Sequence, residues 1–591
     1  MKRPPRANGY RDSWCGELSA ARTGTPARVA GWVHRRRDHG GLIFIDLRDR
    51  SGIVQLVFHP DAAPDAHAAA HALRSEDVVT AAGEVVARDP GNVNPNLATG
   101  EIELAVAGLE ILADAETPPF PVDEDGKVDE ILRLRHRSLD LRRTWMQEAI
   151  ALRHEVVQTI RAVLNARDFL EIETPYLTRS TPEGARDFLV PARTAGGRAP
   201  GLFYALPQSP QLFKQLLMIG GCERYYQIVR CFRDEASRAD RLAEFTQLDI
   251  EMSFVDEDDV IEVMEAVMGA VFELTGFAVP RPPWPRMSFD EAIDRFGSDR
   301  PDVRFELELR DLGPVLRDSK FQVFAGALAS GGVVRGINAG PAALPRSELD
   351  ALTELAKQYG AKGLVWMFVE ADGSLRSPVA KFLSEAEVLA LKQVLEASPG
   401  DLLLIVADQR LTAGAALSAL RLELARRFEL VGEGAHAVLW VVDFPAFMWD
   451  EEAQRWDAVH HPFTAPKGDW NDPGSLSSRA YDLVLDGSEI GGGSIRIHQR
   501  ELQERVFKIL GMSEQEAHER FGFLLDAMRY GSPPLGGIAM GIDRIVSILA
   551  GRDNIREVIA FPKATSGADP LTGAPARVDD GQLRELGLRL R

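Results

Sequence analysis

Cysteine is scarce: Cys15, Cys222 and Cys231 are the only three in a chain of 591 residues. The number is odd and no C-x-x-C pair occurs. This excludes a disulfide framework and a cysteine-based zinc site, and fits a reducing cytoplasm. Cys222 and Cys231 read as small buried hydrophobes rather than as nucleophiles. No apolar run approaches the length of a membrane span, and the start MKRPPRANGYRDSW has no signal-peptide core, so neither membrane insertion nor secretion is expected. No G-x-x-x-x-G-K-[ST] string occurs, which removes a P-loop as phosphate cradle. Positive charge is outnumbered, 68 Lys and Arg against 88 Asp and Glu, for a net charge of −20. That sum argues against a simple nucleic-acid binder. Basic residues still cluster at Arg35 to Arg37 and in RLRHRSLDLRR from Arg133 to Arg143.

What is present is a chain too long for one core, with the 45% hydrophobic and 26% charged composition of an ordinary multidomain globular protein. Its most informative stretch is 204 to 251. Two runs rich in β-branched and aromatic residues, YYQIVRCF from Tyr225 and FTQLDIEMSF from Phe245, flank a charged loop and predict an antiparallel hairpin. Gln247, Asp249 and Glu251 alternate along the second run and share one face. By spacing alone this is either an exposed sheet face with ordinary ion pairs or the floor of a site for a cationic or hydrogen-bonding ligand.

Residues 1–112 read as a small all-β module. Strands are predicted at 27–33, 42–48, 53–59, 78–88 and 101–112, with an alanine-rich helix between the third and fourth, the order of an OB-fold. On its sheet, Phe44 can stack on a base or pack in the core, Gln55 can meet a base edge, and Arg35 to Arg37 can meet phosphates. A proline-rich charged linker, 113–144, turns helical and carries the second basic cluster, which is either solvated or placed for the elbow of an RNA. An amphipathic helix over 145–168 runs into the strand FLEIETP. Residues 294–430 alternate helices and strands without a catalytic signature. The buried strand AVLWVVDFPAF, then HHPFTAP, AYDLVLDGSEIGGGSIRIH and GGIAMGIDRIVSILAG complete the chain before a C-terminal extension, 566–591.

The string F-R-D-E, a loop, and E-F-T-Q-L-D-x-E, preceded by QSPQLFKQLLM, resembles motif 2 of the class II aminoacyl-tRNA synthetases, nearest the aspartyl enzymes of bacterial type. The helix and strand ending at Pro175 resemble motif 1, and the glycine-rich strand leading to Asp543 and Arg544 resembles motif 3. The resemblance is collinear over about 10 to 565. It implies an α+β, multidomain chain: an OB-fold anticodon-binding β-barrel (1–112), a linker (113–144), an antiparallel-sheet catalytic domain in two parts (145–293 and 431–565), and an inserted α/β accessory domain between them (294–430, GAD-like). It also implies a cytoplasmic homodimer that attaches L-aspartate to tRNA-Asp through an aspartyl-adenylate, using ATP and Mg2+.

Residue by residue, the resemblance gives Arg233 the α-phosphate and the substrate carboxylate, Arg544 the γ-phosphate, Phe245 the adenine face and Glu235 the adenine amino group, with Asp234, Gly541, Ile542 and Asp543 also at the nucleotide. It gives Lys214 and Arg496 the aspartate side chain, and Glu183, Ser209, Gln211 and Asp249 its ammonium. His460 sits over the substrate, and His461 orients its loop. Two cations at the side chain favour an acidic substrate over the lysine or asparagine of sister enzymes. Asp482 and Glu489 are implied as metal ligands. They lie seven apart, an odd spacing that in one strand puts them on opposite faces, so a bend or bulge near Gly487 is required. No general base stands out for transfer to the tRNA, leaving positioning and electrostatics to supply the rate. Arg35, Arg37, Phe44, Gln55 and Glu103 are implied at the anticodon. His39 and Gly91 match relaxed enzymes that charge tRNA-Asn as well. One departure stands out: Leu242 and Ala243 occupy places where the family often has Gln-Pro, which removes or moves one ATP contact.

Overall fold

The computed structural model describes residues 5–122, 127–181, 184–193 and 202–590. The chain divides into two compact units, Met1–Ala151 with Ala560–Ala564 and Ala568–Pro575, and Leu152–Ile559 with Thr565–Gly567 and Ala576–Arg591. These units do not follow the boundaries expected at 112, 144 and 565. The linker joins the first unit because Arg142 pairs with Glu76 at 2.8 Å and lies over the Trp32 ring, while Arg137 Nε donates to the Ala560 carbonyl.

In the first unit, β1 (Pro26–His39), β2 (Leu42–Asp49), β3 (Gly52–Phe58), β4 (Val78–Ala87) and β5 (Ile102–Ala113) close a barrel in the order β1-β2-β3-β5-β4. The helix Pro64–Ala72 lies between β3 and β4 in the chain, as the sequence pattern predicts. Alternation decides which side chains go inside. Val29, Val33, Ile43, Ile45, Leu47, Val54 and Leu56 are fully buried, so the residues between them face outward. Three arginines of the second basic cluster turn inward around Asp140, which is itself buried, while Arg135 stays exposed. Arg133 Nε stands 3.0 Å, Arg137 Nη1 2.5 Å and Arg143 Nε 3.6 Å from its carboxylate. These three arginines are neither solvated nor presented to an RNA; burying charge at this depth is costly, and the ion pairs with Asp140 offset that cost.

In the second unit, eight strands form one sheet. They are β6 (Leu170–Glu171), β7 (Arg224–Phe232), β8 (Glu244–Ser253), β9 (Arg286–Ser288), β10 (Val438–Val442), β11 (Ala480–Leu485), β12 (Ser488–Ile495) and β13 (Leu535–Gly541), in the order β9-β10-β11-β12-β13-β8-β7-β6. Only the outermost pairs are parallel. Between β9 and β10 the chain leaves to build a separate five-stranded sheet, from Arg310–Asp311 to Asp401–Asp408. The helices Arg346–Gln358 and Arg410–Arg427 pack against it through Leu349, Leu352, Leu417, Leu420 and Leu424. These strands and helices lie between Arg310 and Arg427, inside the second unit.

Among the described residues, no helix is long and apolar enough to cross a membrane.

Candidate active site

The site lies on one face of the eight-stranded sheet, and strand register shows how. Across the central strands Asp482, Gly492, Ala539, Asp249 and Gln227 are successive pairing partners, and Ser494, Gly537, Glu251 and Tyr225 form the next row. Partners directly opposite each other point the same way. The middle of each row is glycine or alanine while acids stand toward the sides, so the sheet carries a shallow polar trough. A Cβ at Gly537 would lie 2.2 Å from Glu251 Oε2, so only glycine admits that carboxylate.

Asp482 and Glu489 lie on two adjacent strands, not one. The register slips by one residue at Ile490: Leu483 pairs with Gly491, but Val484 pairs with Glu489. This bulge turns the Glu489 side chain to the Asp482 face. It falls three residues beyond Gly487, which forms the turn. The two carboxylates converge: a Cβ on Gly492 would sit 2.5 Å from Asp482 Oδ1 and 3.4 Å from Glu489 Oε1. Burial first, and then the Asp482 charge, push the Glu489 carboxyl above its ordinary range. Asp482 Oδ1 is buried without a hydrogen-bond partner, and His460 Nε2 lies 3.6 Å from it. Two converging acids with an unsatisfied oxygen fit a divalent cation that takes its remaining ligands from water and phosphate. No group of three or more acids, histidines or cysteines among the described residues forms a complete metal cage.

Two adjoining cavities open over the trough. The first is lined by Arg233, Glu235, Phe245, Gly541, Asp543 and Arg544. The second is lined by Ser209, Gln211, Lys214, Asp249, His460 and Arg496. Arg233 and Glu489 line both. Arg233, at the end of β7, lies over the Phe245 ring at 5.2 Å, and its Nε is buried without a hydrogen-bond partner. Arg544, in the first turn of the helix Ile542–Leu549, donates to the Glu489 carbonyl and lies 3.7 Å from Asp240. The two arginines, 311 positions apart in the sequence, therefore border one space.

The walls of the second cavity are already ion-paired. Lys214 Nζ stands 3.0 Å from Asp249 Oδ1 and 3.3 Å from Glu251 Oε2. Arg496 grips Glu251 with Nε and Nη2 at 3.0 and 3.2 Å, and its Nη1 donates to His461 Nε2 and Ser494 Oγ. Lys214, Asp249, Glu251 and Arg496 are all at most 2% exposed. Burial raises the Asp249 carboxyl despite Lys214 beside it, and Asp249 Oδ2 has no hydrogen-bond partner. Gln211 Nε2 is likewise buried and unpartnered. Burial, then the Arg496 charge, push the His461 imidazole well below its usual value, so it is neutral and accepts from Arg496. His460 sits edge-on to Phe444; burial lowers its pKa, but the Asp482 carboxylate outweighs this and the net shift is upward.

Several expected site residues are placed differently. Asp543 lines the first cavity, but its carboxylate is engaged as a brace: it takes a hydrogen bond from the Thr246 N–H (2.8 Å) and pairs with Arg153 (2.5 Å). Ile542 is fully buried, so its side chain offers nothing to a nucleotide. Asp234 lines neither cavity; its carboxylate is half exposed, 3.8 Å from Arg186. Glu235 lines the first cavity but receives a hydrogen bond from Arg241 at 2.5 Å. Glu183 lies outside the described residues. Leu242 packs with Ile555 and Ile559, which accounts for a leucine where the family often has glutamine. Sequence reasoning missed Glu251 as a site residue, although it sits at the third position of the polar alternation, and missed Arg241 in the charged loop.

In the barrel, Arg35, Arg37, Phe44, Gln55 and Glu103 share one outer face through the pairs Arg35–Asp46, Arg37–Phe44 and Asp46–Gln55. Phe44 is half-buried between fully buried Ile43 and Ile45, so it is not a core residue. Arg37 donates to Asp46 (2.7 Å) and Gln55 (3.1 Å), and Gln55 donates to Glu103 (2.8 Å). His39, next to the Gly40–Gly41 turn, and Gly91 are exposed.

Comparison with known proteins agrees with this geometry. Residues 129–565 match the family of tRNA synthetases class II (D, K and N), and residues 27–112 match the OB-fold nucleic acid binding domain. The aspartate–tRNA ligase of Geobacillus kaustophilus is 53% identical over 586 residues, and the aspartate–tRNA(Asp/Asn) ligase of Anoxybacillus flavithermus 53% over 588, each covering 98% of both chains. The crystal structure of asparaginyl-tRNA synthetase from Pyrococcus horikoshii complexed with asparaginyl-adenylate shares the fold at a TM-score of 0.59 and 22% identity, over 96% of this chain and 98% of that one. By sequence and by fold, the chain belongs to the class II tRNA synthetases, in the aspartate–tRNA ligase family.

Proposed function

We propose that this protein activates L-aspartate with ATP and transfers it to tRNA-Asp and tRNA-Asn. The observation that carries the reading is Arg233, a cation without a carboxylate partner among the described residues, standing where the two cavities meet. An aspartate in the second cavity directs its α-carboxylate toward the nucleotide in the first. A carboxylate oxygen attacks the α-phosphorus, forming the mixed anhydride as the bond to pyrophosphate breaks. Charge grows on the phosphate oxygens, and fixed guanidinium groups stabilise it without reorganising. Arg233 meets the α-phosphate, Arg544 the γ-phosphate, and Phe245 stacks on the adenine. Glu235 turns from Arg241 to the adenine amino group.

The substrate ammonium meets the open Asp249 Oδ2 with Ser209, and its side-chain carboxylate enters between Lys214 and Arg496. Asp482 and Glu489 would hold Mg2+, which would offset the negative charge of the phosphates. In the second step a ribose hydroxyl of the terminal adenosine attacks the activated carbonyl and AMP leaves. His39, Gly91 and the outer barrel face receive the anticodon, and relatives named aspartate–tRNA(Asp/Asn) ligase support the relaxed choice of tRNA. Exposed Leu170, Tyr176 and Leu177 support a homodimer along the β6 edge, and three free cysteines support a cytoplasmic location.

Pyrophosphate exchange should depend on aspartate and not on asparagine or lysine. Purified tRNA-Asn should be charged at a rate comparable with tRNA-Asp. Exchange driven by asparagine would sink the substrate assignment, and a rate below about a hundredth of that for tRNA-Asp would sink the relaxed one.

A further inference from the structure

The inserted domain carries no catalytic residue, yet one buried arginine of its last helix lies two contacts from the acidic pair. Arg421, in the helix Arg410–Arg427, is 1% exposed and has no carboxylate partner among the described residues. Its guanidinium donates instead to four consecutive-segment carbonyls, those of Asp302 (2.9 Å), Phe305 (3.2 Å), Glu306 (3.2 Å) and Leu307 (3.0 Å), between the rings of Phe296 and Phe305. Burying an unpaired cation is expensive, even with carbonyl dipoles around it. Burial, outweighing the charges of Asp302 and Glu308, pulls its pKa down to about 10. What it secures is the shape of the segment 302–307, where the chain leaves the catalytic sheet.

That segment presses on the turn of the β11–β12 hairpin. The turn is two residues, Asp486 and Gly487, both with positive φ (53° and 77°), the backbone of a tight type I′ hairpin. A Cβ on Gly487 would come within 2.9 Å of Asp302 Cβ and 3.4 Å of its Cα, so the glycine packs directly on Asp302. Arg304 forks onto Asp302 (2.9 and 2.7 Å) and reaches Asp486 at 3.6 Å. The other side of Asp486 is held by His436 Nδ1 (2.6 Å) and the Ala437 N–H (2.8 Å). The hairpin carries Asp482 on one strand and Glu489 on the other, and Glu489 is only two residues past the turn.

We infer that Arg421 and Arg304 are positioning residues through which the inserted domain fixes the turn Asp486–Gly487, and so sets the spacing of Asp482 and Glu489. The inference rests on the reading of that pair as the Mg2+ site. It assigns the insertion a part in metal-assisted ATP binding without placing any of its atoms at the substrate.

The test measures Mn2+ binding to the full chain by electron paramagnetic resonance, with α,β-methylene ATP present to prevent turnover, and L-aspartate binding by calorimetry. The variants are Arg304→Ala, Arg421→Lys and, as reference, Asp482→Asn. Arg304→Ala and Arg421→Lys should weaken Mn2+ about three- to tenfold and leave aspartate affinity within about twofold. Arg304 is partly exposed, so its variant carries the test even if Arg421→Lys does not fold by circular dichroism. If Asp482→Asn loses Mn2+ while both others bind like wild type, the coupling is absent. Equal losses of Mn2+ and aspartate in Arg304→Ala would reduce it to general loosening and overturn it too. If Asp482→Asn itself binds Mn2+ normally, the metal assignment fails first.

Discussion

The two cavities of the candidate active site are built on opposite electrostatic plans. At the end proposed for aspartate, Lys214, Asp249, Glu251 and Arg496 are buried and close on one another, so the charges are balanced before any substrate arrives. At the nucleotide end, Arg233 lacks a carboxylate among the described residues, Arg544 is held mainly by a carbonyl, and Glu235 and Arg241 neutralise each other at the rim. The difference teaches what each end must do. Recognising a small acid demands fixed geometry, and a buried network supplies it at the cost of desolvation. Adenylate formation demands cations whose charge is still available when negative charge appears on phosphorus.

The comparison can be broken most sharply at Arg233. Its replacement by alanine should lower the rate of aspartate-dependent pyrophosphate exchange on the order of 10³-fold with little change in melting temperature; a loss below tenfold would remove Arg233 from the chemistry. The aspartate end should behave the other way. Glu251→Gln leaves two buried cations facing one carboxylate and should cost about 3–5 kcal/mol of stability, read from urea unfolding, with impaired aspartate binding as a consequence. A cost under about 1 kcal/mol would mean that the network is not a structural unit.

The smallest effect concerns pH. His461 is held neutral by burial and by Arg496, with the charges of His460 and Lys214 adding to this. Its folded pKa is depressed, so below about pH 6.5 the unfolded chain takes up a proton that the folded chain refuses. The stability it contributes is present above that pH and is lost as the pH falls, at up to about 1.4 kcal/mol per pH unit. His461→Gln, which keeps an acceptor for Arg496, should flatten that slope relative to wild type in melting curves between pH 7 and 5. An unchanged slope would mean that His461 is protonated in the folded state.

Much of this architecture is legible in the sequence because it follows local periodicity. The barrel strands alternate cleanly around Val29, Ile43, Ile45 and Leu56, and the polar face of Gln247, Asp249 and Glu251 is visible as a period of two. Arg233, Phe245 and Arg544 come from the resemblance, and the folded chain brings them to one cavity. What stayed hidden depends on partners far apart in the chain. Nothing near Glu251 announces Lys214 or Arg496, 37 and 245 positions away. The inward turn of Arg133, Arg137 and Arg143 hinges on one aspartate, Asp140, that sequence spacing cannot mark as buried. The use of Asp543 as a brace appears only once Arg153 stands beside it.

The slip at Ile490 carries a consequence of its own. It is a matter of counting rather than of chemistry, since the strand needs one residue more than its neighbour and the nature of that residue is secondary. Inserting one residue between Leu483 and Val484, so that Ile490 gains a partner and the bulge is lost, would leave every acid, arginine and histidine of the site in the polypeptide, yet Glu489 would point through the sheet to the far side. Such a chain would look complete to any inventory of its residues and still fail to exchange pyrophosphate. In this enzyme, parity along one strand is as much a part of the machinery as any functional group.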